Sequence, residues 1–186
     1  MNTPNKLTVL RMVLIPFFLF FLLFDLPHHY LYALILFAAA SFTDFLDGHI
    51  ARRDGIVTDF GKFLDPVADK LLVTSALICF IELGFTSSIV VVIIIAREFI
   101  VTSLRMVAAS SQVIAANIWG KLKTVSQMVA VIAILFMQEC VQAGWLPDSF
   151  PALTIGHVLM WIAAVLTLFS GLTYLKDNWK YVNTAK

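Results

Sequence analysis

The chain has 186 residues, 60% of them hydrophobic and 13% charged, with a formal net charge of +1. A soluble domain is about 45–50% apolar and about 25% charged, so a mean hydropathy of +0.90 excludes an ordinary soluble globule and makes the bilayer the solvent. The near-neutral charge offers no nucleic-acid surface, and Cys79 and Cys140, set in apolar surroundings, imply no disulfide framework.

A spanning helix needs about 20 mostly apolar residues, and six segments meet that length. The first, Leu7–Phe24, has a polar start with Asn5, Thr8 and Arg11 and no small-residue cleavage site behind it. It reads as a retained helix rather than a signal peptide, with Phe17, Phe18, Phe20 and Phe21 facing lipid or a neighbouring helix. The second, Leu31–Ala51, ends in Asp44, Asp47, Gly48, Ala51 and Arg52. The third, Phe63–Leu83, follows Gly61 and opens with Asp65 and Asp69. The fourth, Ser87–Ala108, carries Arg97, Glu98 and Arg105. The fifth, Ile118–Met137, opens with Lys121, Lys123 and Thr124, and the sixth is Leu153–Leu175. The connections are short, so residues 1–186 form a single domain. The expected fold class is an all-α integral membrane bundle of six transmembrane helices.

Basic residues set its orientation, because they accumulate in cytoplasmic loops. With six spans the termini share one side, and all 13 Lys and Arg fall on that side or in helix positions near it. The opposite connections, around 25–30, 82–87 and 139–152, hold none. Both termini are therefore expected in the cytoplasm. Trp179 and Tyr181 read as interfacial anchors.

The four aspartates fall at the cytoplasmic ends of the second and third helices. Asp44 and Asp47 are three residues apart and Asp65 and Asp69 four apart, so each pair lies on one helix face. Carboxylates at membrane depth are costly and usually mark function. Four in one hairpin repel each other unless a cation lies between them, and carboxylate oxygens suit Mg²⁺, Mn²⁺ or Ca²⁺. The competing structural reading pairs these acids with Lys62, Lys70, Arg52 and Arg53 as a solvated interfacial loop, and a second makes them a proton or ion path. Arg97 lies inside an apolar run, where a charge needs a partner. Glu98 is adjacent in sequence but on another face, so a simple pair between them is not expected.

The run Asp44-x-x-Asp47-Gly48-x-x-Ala51-Arg52, eight residues, then Gly61-x-x-x-Asp65-x-x-x-Asp69 resembles the signature of the CDP-alcohol phosphotransferase family, with every position filled. Pro4-Asn5-x-Leu7-Thr8-x-x-Arg11 is similar to the family's N-terminal segment. Ala96-Arg97-Glu98-Phe99-Ile100 and Trp119-Gly120-Lys121-x-Lys123-Thr124 resemble its bacterial phosphatidylglycerophosphate synthase branch.

The resemblance implies transfer of a phosphatidyl group from CDP-diacylglycerol to sn-glycerol 3-phosphate, releasing CMP, at the cytoplasmic face of the cell membrane. It implies two Mg²⁺ or Mn²⁺ ions held by Asp44, Asp47, Asp65 and Asp69, with Asp69 as general base. Gly48, Ala51 and Gly61 would line the cytidine nucleotide cleft, and Arg52 would meet the pyrophosphate. Asn5, Thr8 and Arg11 would contact the nucleotide, unless they serve only helix capping and interfacial anchoring. The acceptor phosphate calls for a second basic pocket, for which Arg97, Arg105, Lys121, Lys123 and Thr124 are the candidates, with positive-inside topology as the plain alternative for the lysines. The family further implies a homodimer surrounded by membrane lipid. Cardiolipin and phosphatidylinositol phosphate synthases share the aspartates and differ in the acceptor pocket. An intramembrane prenyltransferase would need a second acidic cluster, and a divalent-cation transporter would need a polar path to the outer face.

Overall fold

The computed structural model describes residues 3–54, 59–108 and 118–179, with the side chains at 3–4, 45, 47–63, 65–66, 69 and 107–108 outside the described set. Six helices follow in chain order: α1 (Thr3–Leu23), α2 (His29–Asp54), α3 (Asp59–Glu82), α4 (Ser88–Ala108), α5 (Ile118–Gln142) and α6 (Ala152–Asn178). No strand occurs among the described residues. In lipid every backbone N–H and C=O must be satisfied within the segment, and helices do this. Among the described residues, α1, α5 and α6 are long and apolar enough to cross a membrane.

The helices outrun the apolar segments mainly at the end that carries the aspartates. α1 begins at Thr3 rather than Leu7, α2 continues to Asp54 and α3 starts at Asp59. The polar residues there continue the hydrogen-bonded turn after the apolar run has ended, which hydrophobicity alone does not report. α1 packs on α2 and α3, α5 packs on α6 and α2, and α4 packs mainly on α6.

The core is apolar, as in a soluble protein, but here the outer faces are apolar as well. Phe18, Phe37, Phe80, Leu77, Ile94, Leu135 and Met160 are enclosed, with the Phe18 and Phe37 rings 5.6 Å apart. Phe17, Phe20, Ile89, Val92, Phe99 and Leu172 lie exposed on the outer faces, where lipid is their solvent. The α1 phenylalanines thus divide, Phe17 and Phe20 outward and Phe18 inward. Small residues stand where helices approach closely, as lipid-embedded packing requires. Ala33, Ala40, Ala76, Ala130 and Ala164 are buried, and a Cβ at Gly156 would meet Ile134 Cγ1 at 3.2 Å.

The outer turns are built tightly. Gly84 and Gly144 have φ of +72° and +73° after α3 and α5. In each, the glycine N–H and the next N–H turn back to the helix: Gly84 to Ile81 and Phe85 to Phe80, Gly144 to Val141 and Trp145 to Cys140. This left-handed termination satisfies the last carbonyls and commonly carries an apolar contact across it. Here that contact is Phe80 on Phe85, 5.4 Å between ring centres.

α2 starts against a carboxylate from α5. Glu139, buried, accepts from the Leu31 N–H at 3.0 Å and contacts His28 Nδ1 at 2.6 Å. The fifth helix runs to Gln142, so Glu139 belongs to it rather than to the connection. His29 Nδ1 lies 3.2 Å from the Phe21 carbonyl, and His157 Nε2 3.1 Å from that of Gly84. The outer histidines are thus occupied at helix ends, far in sequence from the aspartates.

Replacing a capping side chain by alanine costs about 0.5–2 kcal/mol, and Glu139→Ala removes both the cap and the His28 contact. We expect it to lower stability by about 1–2 kcal/mol in chemical unfolding in micelles. Glu139→Gln, which keeps an acceptor oxygen for Leu31, should recover most of the loss. Equal stability of the alanine variant would show that α2 does not depend on this cap.

Candidate functional site

Two charged clusters lie toward the aspartate end of the bundle. The first joins α1 to α2. Asn5, Thr8 and Arg11 form an inward stripe on α1, exposed by 7%, 0% and 0%. Buried side chains do not anchor a helix at the interface, so these three belong to the interior. Arg11 Nη1 reaches Asp44 Oδ1 at 2.6 Å. The Asp44 side chain is 37% exposed, so the pair runs from a dry guanidinium to a carboxylate that opens outward. A charged group inside an apolar bundle is tolerated when an opposite charge meets it.

The helix limits place the other motif positions. Asp44 lies ten residues before Asp54, the end of α2, and Asp69 ten residues after Asp59, the start of α3. Asp47 and Asp65 lie seven and six residues from the same two ends. At 1.5 Å per residue, Asp44 and Asp69 stand at matching depth from the helix ends, as do Asp47 and Asp65. Of the four side chains only that of Asp44 is described. The side chains of Asp47, Asp65, Asp69, Gly48, Ala51, Arg52 and Gly61 lie outside the described residues. The donor set itself, four aspartate carboxylates, is one of hard oxygens and fits Mg²⁺ or Mn²⁺.

The second cluster is centred on Arg97 of α4. Its Nη2 donates to Ser170 Oγ on α6 at 2.8 Å and its Nη1 to Glu98 Oε1 at 3.3 Å. The sequence argued against an Arg97–Glu98 pair, since successive helix residues diverge, and the structure corrects that expectation. The long arginine stem bends at its far end, so that the guanidinium reaches a neighbour its Cβ does not face. The stem lies against Gly171, where an added Cβ would fall 2.8 Å from Arg97 Cγ, and Nη2 passes near Gly120. Only a residue without a side chain fits at 171.

Glu98 has a second cation. Lys123 Nζ of α5 donates to the same oxygen, Glu98 Oε1, and Lys123 is buried. Burial and pairing go beyond what positive-inside topology asks of a lysine. Lys121 is exposed and stands outside this group. Thr124 donates its hydroxyl to the Gly120 carbonyl of its own helix, at 3.1 Å. Arg105, two turns beyond Arg97, donates from Nε to Tyr174 Oη at 3.1 Å, with its guanidinium 5.4 Å from the ring centre. Arg97 and Arg105 therefore both face α6, as their spacing implied.

A narrow cleft lies between α3 and the second cluster. Lys70 and Thr74 of α3 line it, with Glu98, Lys123, Thr124 and Gln127 opposite. Lys70 directly follows Asp69 in the chain. Lys123 of α5 and Glu98 of α4, which is itself paired with Arg97, thus face the helix that carries the second aspartate pair across one cleft.

The sequence reading missed the α6 contribution. Thr167, Ser170 and Tyr174 are buried on one face of α6 and take partners from two helices: Gln127 at 3.1 Å, Arg97 and Arg105. Their spacing of three and four residues is the available signal, since a polar stripe inside an apolar helix must find partners.

The family model described as CDP-alcohol phosphatidyltransferase matches residues 1–169. The chain belongs to the CDP-alcohol phosphatidyltransferase family. The match covers the α1 stripe, both aspartate pairs and the Arg97–Glu98–Lys123 cluster. Among curated relatives, the chain is 41% identical over 197 residues to a CDP-diacylglycerol–glycerol-3-phosphate 3-phosphatidyltransferase of Bacillus subtilis, covering 99% of this chain and 98% of the relative. It is 38% identical to the Pseudomonas fluorescens protein of the same name, covering 99% and 93%. It is 41% identical to a probable phosphatidylglycerophosphate synthase of Mycobacterium tuberculosis, covering 94% and 80%.

Proposed function

We propose that this member of the family transfers the phosphatidyl group of CDP-diacylglycerol to sn-glycerol 3-phosphate, giving phosphatidylglycerol phosphate and CMP. Its near-full-length similarity to relatives that bear this activity in their names supports the reading. The observation that carries it is the shared cleft: a cationic cluster suited to a phosphorylated acceptor lies beside the helix of Asp65 and Asp69.

The six helices are read as spans with both termini, and the aspartates, at the cytoplasmic face. CMP and glycerol phosphate are aqueous there while the diacyl tails stay in lipid. The acceptor hydroxyl forms a bond to the lipid-side phosphorus, and the bond from that phosphorus to the CMP oxygen breaks. Asp69 takes the hydroxyl proton. Asp44, Asp47, Asp65 and Asp69 would hold two Mg²⁺ or Mn²⁺ ions, which when bound neutralise diphosphate charge. Arg11 orients the Asp44 carboxylate from the dry side. Gly48, Ala51, Arg52 and Gly61 would take the cytidine diphosphate, with Asn5 and Thr8 on the same side. Arg97 and Lys123, with Thr124 and Arg105 at the rim, hold the acceptor phosphate in place, so the reaction becomes one of positioning. Lys121, exposed, serves the membrane charge asymmetry. The reading includes a homodimer, with the broad apolar faces of α3 and α4, which otherwise meet lipid, as its contact surface.

The buried residues of α2 and α3 further outward of the motif include Ala33, Phe37, Leu72, Ala76 and Phe80, all apolar. That lining supports transfer at one face over passage of a cation across the bundle.

The test is an acceptor panel with purified protein in detergent, CDP-diacylglycerol and Mg²⁺, following CMP release. Glycerol 3-phosphate should support release, whereas serine, inositol phosphate and phosphatidylglycerol should not. EDTA and Asp69→Asn should each abolish it. Release with another acceptor alone would move the chain to another branch, and no release from folded protein would overturn the transferase reading.

Arg11 gives a separate prediction. Loss of a residue that orients a metal ligand typically costs about 10–100-fold in metal affinity or activity. Arg11→Met should raise the Mg²⁺ concentration for half-maximal release by about that factor, with Arg11→Lys in between. An unchanged Mg²⁺ requirement would confine Arg11 to packing.

A further inference from the structure

Glu98 is the one acid of the cationic cluster among the described residues, and the transfer reaction as derived gives it no task. It is an odd neighbour for a phosphate site. Its Oε1 accepts from both Arg97 Nη1 and Lys123 Nζ, the two buried cations assigned to the acceptor phosphate. A dianion entering the cleft would meet this carboxylate already on its intended donors.

Two facts of the geometry bear on what Glu98 does. The first concerns charge. Arg97 and Lys123 are buried, and Arg97 faces Arg105 along α4. Cations gathered at membrane depth repel one another and lose hydration, so they need a counter-charge when no ligand is present. The second concerns room. With the Glu98 carboxylate on Lys123, the cleft has a volume of about 50 Å³, enough for a few waters. The Glu98 side chain is 23% exposed, so it borders the cleft and has open space to turn into, whereas Lys123 does not.

We propose that Glu98 is the resident counter-anion of the acceptor site, holding the place of the acceptor phosphate between Arg97 and Lys123 and yielding it when the phosphate arrives. This rests on the acceptor reading above. The exchange is one anion for another. The phosphate brings more charge and more acceptor oxygens to the same donors, while Glu98 turns to the cleft mouth. An uncharged polyol cannot make this exchange, because it offers the cations no charge in return. Glu98 thus selects for a phosphorylated acceptor by raising the threshold that any entrant must meet.

Glu98→Gln separates this role from simple positioning. Glutamine keeps the length and an acceptor oxygen for both cations but loses the charge that competes. Competition between two ligands for one site commonly amounts to about fivefold or more. The variant should therefore show a KM for glycerol 3-phosphate lowered by about fivefold. Inhibition by inorganic phosphate should tighten in parallel, and the KM for CDP-diacylglycerol should stay unchanged. A positioning role alone predicts an unchanged or higher KM.

The wild-type protein offers an independent readout. A water-soluble carbodiimide joins a carboxylate and an amine in contact, forming an amide between Glu98 and Lys123 with loss of water to the reagent. The cross-linked peptide, measured by mass spectrometry, should be abundant in the resting enzyme. Saturating glycerol 3-phosphate or inorganic phosphate should suppress it and glycerol should not. An unchanged or raised KM in a folded Glu98→Gln variant would overturn the proposal, and so would a cross-link insensitive to saturating acceptor. If the wild-type enzyme released no CMP with glycerol 3-phosphate, the acceptor reading itself would fall, and this proposal with it.

Discussion

An arginine inside an apolar bundle keeps its charge, and the rest of the bundle has to accommodate that fact. Among the described residues Arg11 and Arg97 are the two cases, one wholly buried and the other nearly so. Each is met by an acid: Arg11 by Asp44 across the α1–α2 contact, Arg97 by Glu98, with Ser170 added from α6. Removing one partner of a buried pair leaves a charge that the surroundings cannot solvate, at a cost of about 3–5 kcal/mol. Arg11–Asp44, Arg97–Ser170 and Lys123–Glu98 therefore tie α1 to α2, α4 to α6 and α5 to α4 at the aspartate end, where apolar packing alone would allow sliding. The outer end is held differently, by glycine turns, an aromatic contact and a glutamate cap, none of which needs a dry cation.

On the proposed reading this division gives each half of the reaction its own wall. α1, α2 and α3 carry the stripe of Asn5, Thr8 and Arg11 and the aspartate run. α4, α5 and α6 carry the cations and the polar stripe that supports them. The cleft with Lys70 and Thr74 on one side and Lys123 and Gln127 on the other lies between the two groups of helices. A donor diphosphate and an acceptor phosphate repel each other, so separate sites with a common edge are what a transfer between them requires. Gly171 shows how finely the second wall is fitted, because a single methyl group there would collide with the Arg97 stem.

The sequence made much of this legible, for identifiable reasons. Six apolar runs of spanning length mark six helices, because lipid leaves the backbone no other arrangement. The aspartates stand out because acids are rare in such runs, and their spacing carries the family resemblance that the family match bears out. The ends of α1, α2 and α3 were not legible, since Thr3 to Lys6 and Arg52 to Asp54 continue a helix without continuing an apolar run. The Arg97–Glu98 contact was misjudged because Cβ directions were used for a side chain whose charge lies five bonds further out. Ser170, Gly171 and Tyr174 escaped notice because each is ordinary by itself and acquires meaning only against Arg97 and Arg105. Burial of Lys123 could not be read from a sequence in which cytoplasmic lysines are expected anyway.

The proposed reading stands or falls on a two-ion centre at the aspartate ends of α2 and α3. Electron paramagnetic resonance of Mn²⁺ added to the purified protein tests this directly, because free Mn²⁺ gives a sharp six-line signal that binding broadens. The account predicts loss of that signal up to two ions per chain, with spin coupling from ions about 3.5–4 Å apart. Asp65→Asn should restore the free signal. A folded protein that leaves the six-line signal undiminished, or binds Mn²⁺ equally well without the Asp65 carboxylate, would contradict it.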